Sequence, residues 1–140
     1  MIEKIKIKLP FTKELKKRIK KGEKNIGVGC VLIWKGFYVF LINANHPVKE
    51  WSFPTGKVEK NETPDQAIIR EIKEETNLDA KIIKKLYVLK PVNISNSEII
   101  IYKCEAKGIP IPANDIESLG VFKTPPSNLN KICRQILKKF

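Results

Sequence analysis

The sequence predicts an α/β fold: a mixed β-sheet between helices, an α/β/α sandwich, over a single domain spanning residues 1–140. Three observations carry this reading. Apolar runs of strand period recur along the chain, two later segments have helical period, and Gly, Pro and Asn clusters punctuate the boundaries. Residues 2–9 alternate Ile or Leu with Glu or Lys, the pattern of a half-buried strand, and Pro10 ends it. Thr12 caps a short predicted helix with Leu15 and Ile19 on one side and Gly22 as its stop. This strand and helix form an N-terminal extension, residues 1–24, made strongly basic by Lys16, Lys17, Arg18, Lys20, Lys21 and Lys24.

Residues 26–34 are apolar and β-branched, Lys35 and Gly36 turn the chain, and residues 37–42 return as a second strand. A polar loop, residues 43–49, holds His46, the chain's one histidine, at a solvent position. Pro54, Thr55, Gly56 and Lys57 read as a loop whose glycine lets backbone approach a ligand closely. Thr63, Pro64 and Gln66 then open a helix: an N-cap, a proline at the first helical position and the far half of a capping box. That helix runs through about Thr76, and Asn77 tolerates the left-handed conformation needed just past its end. Residues 81–89 and 98–106 read as strands, residues 108–114 as a proline-containing loop, and residues 116–122 as a short strand stopped by residues 124–127. From Asn128 onward, Leu129, Ile132, Cys133, Ile136, Leu137 and Phe140 share one helical face.

Composition narrows the function classes. A hydrophobic fraction of 42% and a charged fraction of 30% are those of a globular protein, not a disordered one. No run of apolar residues is long enough to span a bilayer, and no signal-peptide pattern opens the chain, so no membrane partner and a cytoplasmic location are expected. Cys30, Cys104 and Cys133 are dispersed and odd in number, which argues against disulfide frameworks and zinc sites and for small buried hydrophobes. The net charge of +12 favours polyanionic partners, either nucleic acid or small polyphosphates.

The chemistry concentrates on the central helix. At about 100° per residue, Ile68, Ile69 and Ile72 fall on a core-facing arc, and Glu71, Glu74 and Glu75 on an adjacent one. Like charges so spaced repel. In a basic protein this acidic stripe runs against composition, and it becomes favourable when a divalent cation sits among the carboxylates. The alternative is a solvated acidic face partnered by Arg70 and Lys73.

The pattern of Gly56, Glu62, Arg70, Glu71, Ile72, Glu74, Glu75, Asn77 and Leu78, across residues 56–78, resembles the signature of the Nudix hydrolases. Every specified position matches except Asn77, where that family has Gly. The resemblance implies a Nudix-like sandwich and Mg²⁺-dependent hydrolysis, with Mn²⁺ as a substitute, of a nucleoside diphosphate linked to another group. It implies Glu74 and Glu75 as principal metal ligands, and Glu71 as a further ligand or the base that activates water. A main-chain carbonyl near Thr55 and Gly56 would complete the metal shell, with a late carboxylate: Asp115 first, Glu117 second, Glu98 more remotely. Glu62 would hold Arg70 in a supporting salt bridge. Lys57 is a candidate phosphate contact, and Trp51 and Phe53 are candidates to stack on a base or pack into the core.

The leading expectation is water attack on the pyrophosphate linkage of a nucleoside triphosphate or dinucleoside polyphosphate. The alternatives are an RNA 5′-end pyrophosphohydrolase, an ADP-ribose pyrophosphatase, and a catalytically silent nucleotide or RNA sensor. A homodimer through the N-terminal strand and helix is expected by analogy with relatives.

Overall fold

A computed structural model describes residues 2–9 and 24–139. The helix expected around Thr12, Leu15 and Ile19, with its basic face, lies outside the described residues, as does Phe140. Among the described residues, seven strands and two helices follow one another as β1 (Glu3–Ile7), β2 (Asn25–Trp34), β3 (Phe37–Asn43), β4 (Thr55–Lys57), α1 (Pro64–Thr76), β5 (Asp79–Pro91), β6 (Ser97–Lys107), β7 (Ile116–Phe122) and α2 (Lys131–Lys139). The strands form one mixed sheet in the order β1-β5-β6-β2-β3-β7, with β4 paired to β2 off this path. β1 on β5 and β2 on β6 are parallel; β5 with β6, β2 with β3, β2 with β4, and β3 with β7 are antiparallel.

Strand alternation divides the core in two. Val28, Cys30 and Leu32 of β2 and Tyr102 and Cys104 of β6 point to one face, where Ala67, Ile68 and Ile72 of α1 and Leu78 cover them. Val31, Phe40, Tyr87, Leu89 and Ile101 point to the other, under Leu129 and, from α2, Cys133 and Ile136. One helix on each face makes the expected α/β/α sandwich. The three cysteines are free and buried. No helix among the described residues is long and apolar enough to cross a membrane.

The structure departs from the sequence reading in three places. Residues 55–57, read as a loop, form β4 because β2 supplies partners from Gly27 to Gly29. Ile69, assigned to the core arc, is exposed, because the buried arc of α1 runs from Ala67 through Ile68 and Ile72 to Thr76 and leaves Ile69 at its edge. The final helix starts at Lys131 instead of Asn128; the Asn130 side chain accepts from the Ile132 and Cys133 amides, and Leu129 is buried ahead of the helix.

The two ends of α1 form as local chemistry dictates. The Thr63 hydroxyl accepts from the Gln66 amide at 3.1 Å, and the Gln66 side chain accepts from the Thr63 amide at 3.0 Å. Asn77 closes the helix at φ 65°, its amide donating to the Lys73 carbonyl at 3.0 Å. Far from the cap in sequence, the Tyr102 hydroxyl donates to Asp65 at 2.6 Å and fixes the first turn to β6. Thr63→Ala is expected to cost about 1 kcal/mol of stability, read from the urea midpoint; an unchanged midpoint would contradict the cap.

Candidate active site

Gly56 and α1 build the site together. Gly56 stands opposite Val28 on β4, facing the helix, and a Cβ there would lie 2.1 Å from Glu71 Cγ and Cδ. The Glu71 side chain therefore packs directly on bare backbone, which only glycine permits.

Arg70 organises the acidic stripe. Its Nε and Nη2 donate to the two oxygens of Glu62 at 2.7 and 2.9 Å, a bidentate pair, and Nη2 also donates to the Lys57 carbonyl at 3.0 Å. Glu62 accepts the Glu59 amide as well, at 3.1 Å. These bonds fasten the loop between β4 and α1 to the helix. Nη1 turns the other way and donates to Glu71 Oε1 at 2.9 Å and Glu74 Oε2 at 3.2 Å. One guanidinium thus supplies the only positive charge shown between Glu71 and Glu74 among the described residues.

The electrostatics separate the carboxylates. The hydrogen bond from Arg70, helped by the Glu59 amide, holds Glu62 down to a pKa of about 2. Burial raises Glu71 despite its bond to Arg70. Burial, reinforced by Glu71, pushes Glu75 up to about 8, against a backbone hydrogen bond from Thr55. Glu75 Oε1 is fully buried and has no hydrogen-bond partner among the described residues. Glu74 is half exposed. Among the described residues no three acidic, His or Cys side chains converge on one point as they stand. The Arg70 guanidinium holds Glu71 and Glu74 by hydrogen bonds, and Glu75 stands buried beside them. An orphaned carboxylate oxygen and a charge-crowded, oxygen-only donor set nevertheless fit a hard divalent cation.

Other candidates fall in varied places. Asp115 is exposed, its carbonyl accepting the Ala44 amide at 2.8 Å; it directly follows Asn114, whose side chain donates to the Glu74 carbonyl at 3.3 Å. Glu117 is paired with Lys49 at 3.4 Å, and Glu98 lies between Lys24 at 3.0 Å and Lys90 at 2.7 Å. Lys57 is exposed. Phe53 is 3% exposed and stacked on Phe40 with centroids 6.1 Å apart, so the base-stacking expectation gives way to core packing there. Trp51 is half-buried, edge-on to Phe122 at 4.9 Å. Sequence reasoning missed Asn114 and the Lys57 carbonyl, whose partners are remote in the chain and carry no local signal.

The raised Glu75 carboxyl gives a pH signature. Its folded pKa of about 8 exceeds the ordinary 4.5, so the neutral form suits the fold, and a stability penalty grows as pH rises from 4.5 to 8. Metal-free Glu75→Gln is expected to exceed the parent in stability at pH 8, by on the order of 3 kcal/mol, with the difference vanishing near pH 4.5. Denaturant midpoints across this range check it; a variant weaker than the parent at pH 8 would contradict it. Glu62 acts in the opposite sense: its contribution is complete above pH 4.5 and is lost as pH falls toward 2.

Comparisons with known proteins place the chain by sequence and by fold. The chain is 49% identical over 41 residues to the 8-oxo-dGTP diphosphatase of Proteus vulgaris, covering 26% of this chain and 37% of that protein. It is 36% identical over 58 residues to the RNA pyrophosphohydrolase of Zymomonas mobilis, covering 41% of this chain and 37% of that protein. The matches thus span little more than a third of either relative. The crystal structure of a NUDIX hydrolase from Nitrosomonas europaea superposes with a TM-score of 0.76 at 23% identity, covering 86% of this chain and 71% of that one, which shows the shared fold. The NUDIX domain family model matches residues 23–133, most of the chain and all of the Gly56-to-α1 site, and the chain belongs to that family.

Proposed function

We propose that the chain is a divalent-metal-dependent pyrophosphohydrolase of nucleoside polyphosphates. The observation that carries this reading is the partnerless, buried oxygen of Glu75 beside Glu71 and Glu74, an arrangement that costs stability unless a cation completes it. In this reading Glu74 and Glu75 are the principal ligands, with Glu71, the main chain near Thr55 and Gly56, and Asp115 as the remaining donors. Mg²⁺, or Mn²⁺ in its place, supplies Lewis acidity and neutralises phosphate charge when bound.

The protein's own groups do the rest. Arg70 and Glu62 hold the loop between β4 and α1 against the helix, so the reacting groups are positioned before substrate arrives. Glu71, its carboxyl raised by burial, is suited to take a proton from water as the water oxygen attacks phosphorus and the bridging P–O bond breaks. Lys57, exposed on β4, is the proposed contact to the phosphate chain.

A second reading, hydrolysis at RNA 5′ ends, is favoured by the net charge of +12 and by the RNA pyrophosphohydrolase relative. Salt separates the two. An RNA substrate held by many phosphate contacts loses affinity steeply as salt rises, whereas a mononucleotide does so weakly.

A panel of nucleoside triphosphates, dinucleoside polyphosphates, ADP-ribose and 5′-triphosphate RNA, each with Mg²⁺, is expected to release hydrolysis products from at least one member: phosphate or pyrophosphate from the triphosphates and RNA, two nucleotides from the dinucleoside polyphosphates, AMP and ribose 5-phosphate from ADP-ribose. Glu75→Gln should lower that release by more than about 100-fold, beyond what losing an outer-shell partner of a metal costs. Turnover undiminished in the variant would end the assignment of Glu75 as a metal ligand, and a parent that turns over no member of the panel would favour a sensor.

A further inference from the structure

We propose that Asn77 is a positioning residue whose side-chain amide fastens the loop of residues 108–114 onto the last turn of α1, next to Glu74 and Glu75. The family signature has Gly here, and Gly meets the backbone demand of φ 65° without a side chain. Asn77 meets the same demand and adds a bond: its Nδ2 donates to the Ile109 carbonyl at 3.2 Å.

The loop lies along the open carbonyls of the helix end. The Ile111 amide donates to the Thr76 carbonyl at 2.9 Å, the Ala113 amide to Glu75 at 3.2 Å, and the Asn114 side chain to Glu74 at 3.3 Å. Its entry is fixed by Trp34 Nε1, which donates to the Gly108 carbonyl at 2.9 Å. Apolar burial contributes little, because Ile109 is 72% and Ile111 50% exposed. A segment that buries so little is held by its hydrogen bonds, so deleting one of them loosens it. The docked loop shares the turn that carries Glu74 and Glu75 and leads directly into Asp115. The tether therefore bears on how firmly the site holds its ligand. That consequence rests on the hydrolase reading above; the tether itself does not.

Hydrogen exchange in the metal-free full chain, resolved at individual amides, tests it with two variants. Asn77→Gly keeps the left-handed backbone free of strain and removes only the side-chain bond. Asn77→Asp keeps the shape and lacks the donor. Protection of the Ile111 and Ala113 amides is expected to fall about 5-fold in Asn77→Gly, the effect of one neutral hydrogen bond, and at least as much in Asn77→Asp. Protection of the Ile72 amide inside α1 should hold. On whichever nucleotide the parent hydrolyses, KM should rise about 5-fold with kcat little changed. Unchanged protection at Ile111 and Ala113 would overturn the tether. So would an equal loss throughout α1, the mark of a simple helix cap. Looser loop amides with an unchanged KM would overturn the consequence for the site, and a parent inactive on every nucleotide would count against the hydrolase reading while exchange still decided the tether.

Discussion

Everything about this site follows from three carboxylates placed on one helical stripe and partly taken out of water. Glu71 and Glu75 are raised by burial, and each raises the cost of charging the other or its neighbour. Arg70 relieves part of this through one nitrogen shared between Glu71 and Glu74, while the rest of its guanidinium is committed to Glu62 and the Lys57 carbonyl. It offers nothing to Glu75 Oε1, which stays buried and unpaired among the described residues. A protein that keeps such a group bears a cost to stability, and sites that do so are sites of function more often than of architecture.

The fold serves that stripe at both ends and along its length. The capping box and the Tyr102–Asp65 bond set where α1 begins. Gly56 leaves room for the Glu71 side chain against the sheet, because a Cβ there would collide with that side chain where it lies. At the far end the helix carbonyls are met by a loop from beyond β6, so strands far apart in sequence converge on one turn of helix. The parallel pairing of β2 with β6 makes this possible, since it brings the C-terminal ends of both strands to the same side.

Much of this was legible in the residues. The limits of α1, its cap and its left-handed end depend on side chains within a few positions of one another, so a local pattern suffices to read them. The strands β2, β3 and β7 announce themselves as short apolar runs, and the turn at Lys35 and Gly36 joins the first two. Where reading failed, the deciding partner was remote. Residues 55–57 have no strand character of their own and are extended because β2 offers hydrogen bonds. Ile69 belongs to an apolar arc by period, yet the sheet meets the helix through Ala67 and Ile72 instead. Phe53 reads equally well as a stacking platform or a core ring, and only the aromatic packing with Phe40 decides. Asn77 reads as a tolerated substitute for Gly; that its side chain reaches Ile109 depends on how the loop returns.

The central claim is that Glu75 is held protonation-prone by its surroundings until a dication joins it. Carbon-13 NMR of the glutamate carboxyl groups, titrated with and without saturating Mg²⁺, tests this most directly. Without the metal, Glu75 should titrate near 8, within a coupled group that includes Glu71. With Mg²⁺ present, that titration should move to well below neutral pH. A Glu75 that titrates near 4.5 in the metal-free protein, or whose titration is indifferent to Mg²⁺, would contradict the account.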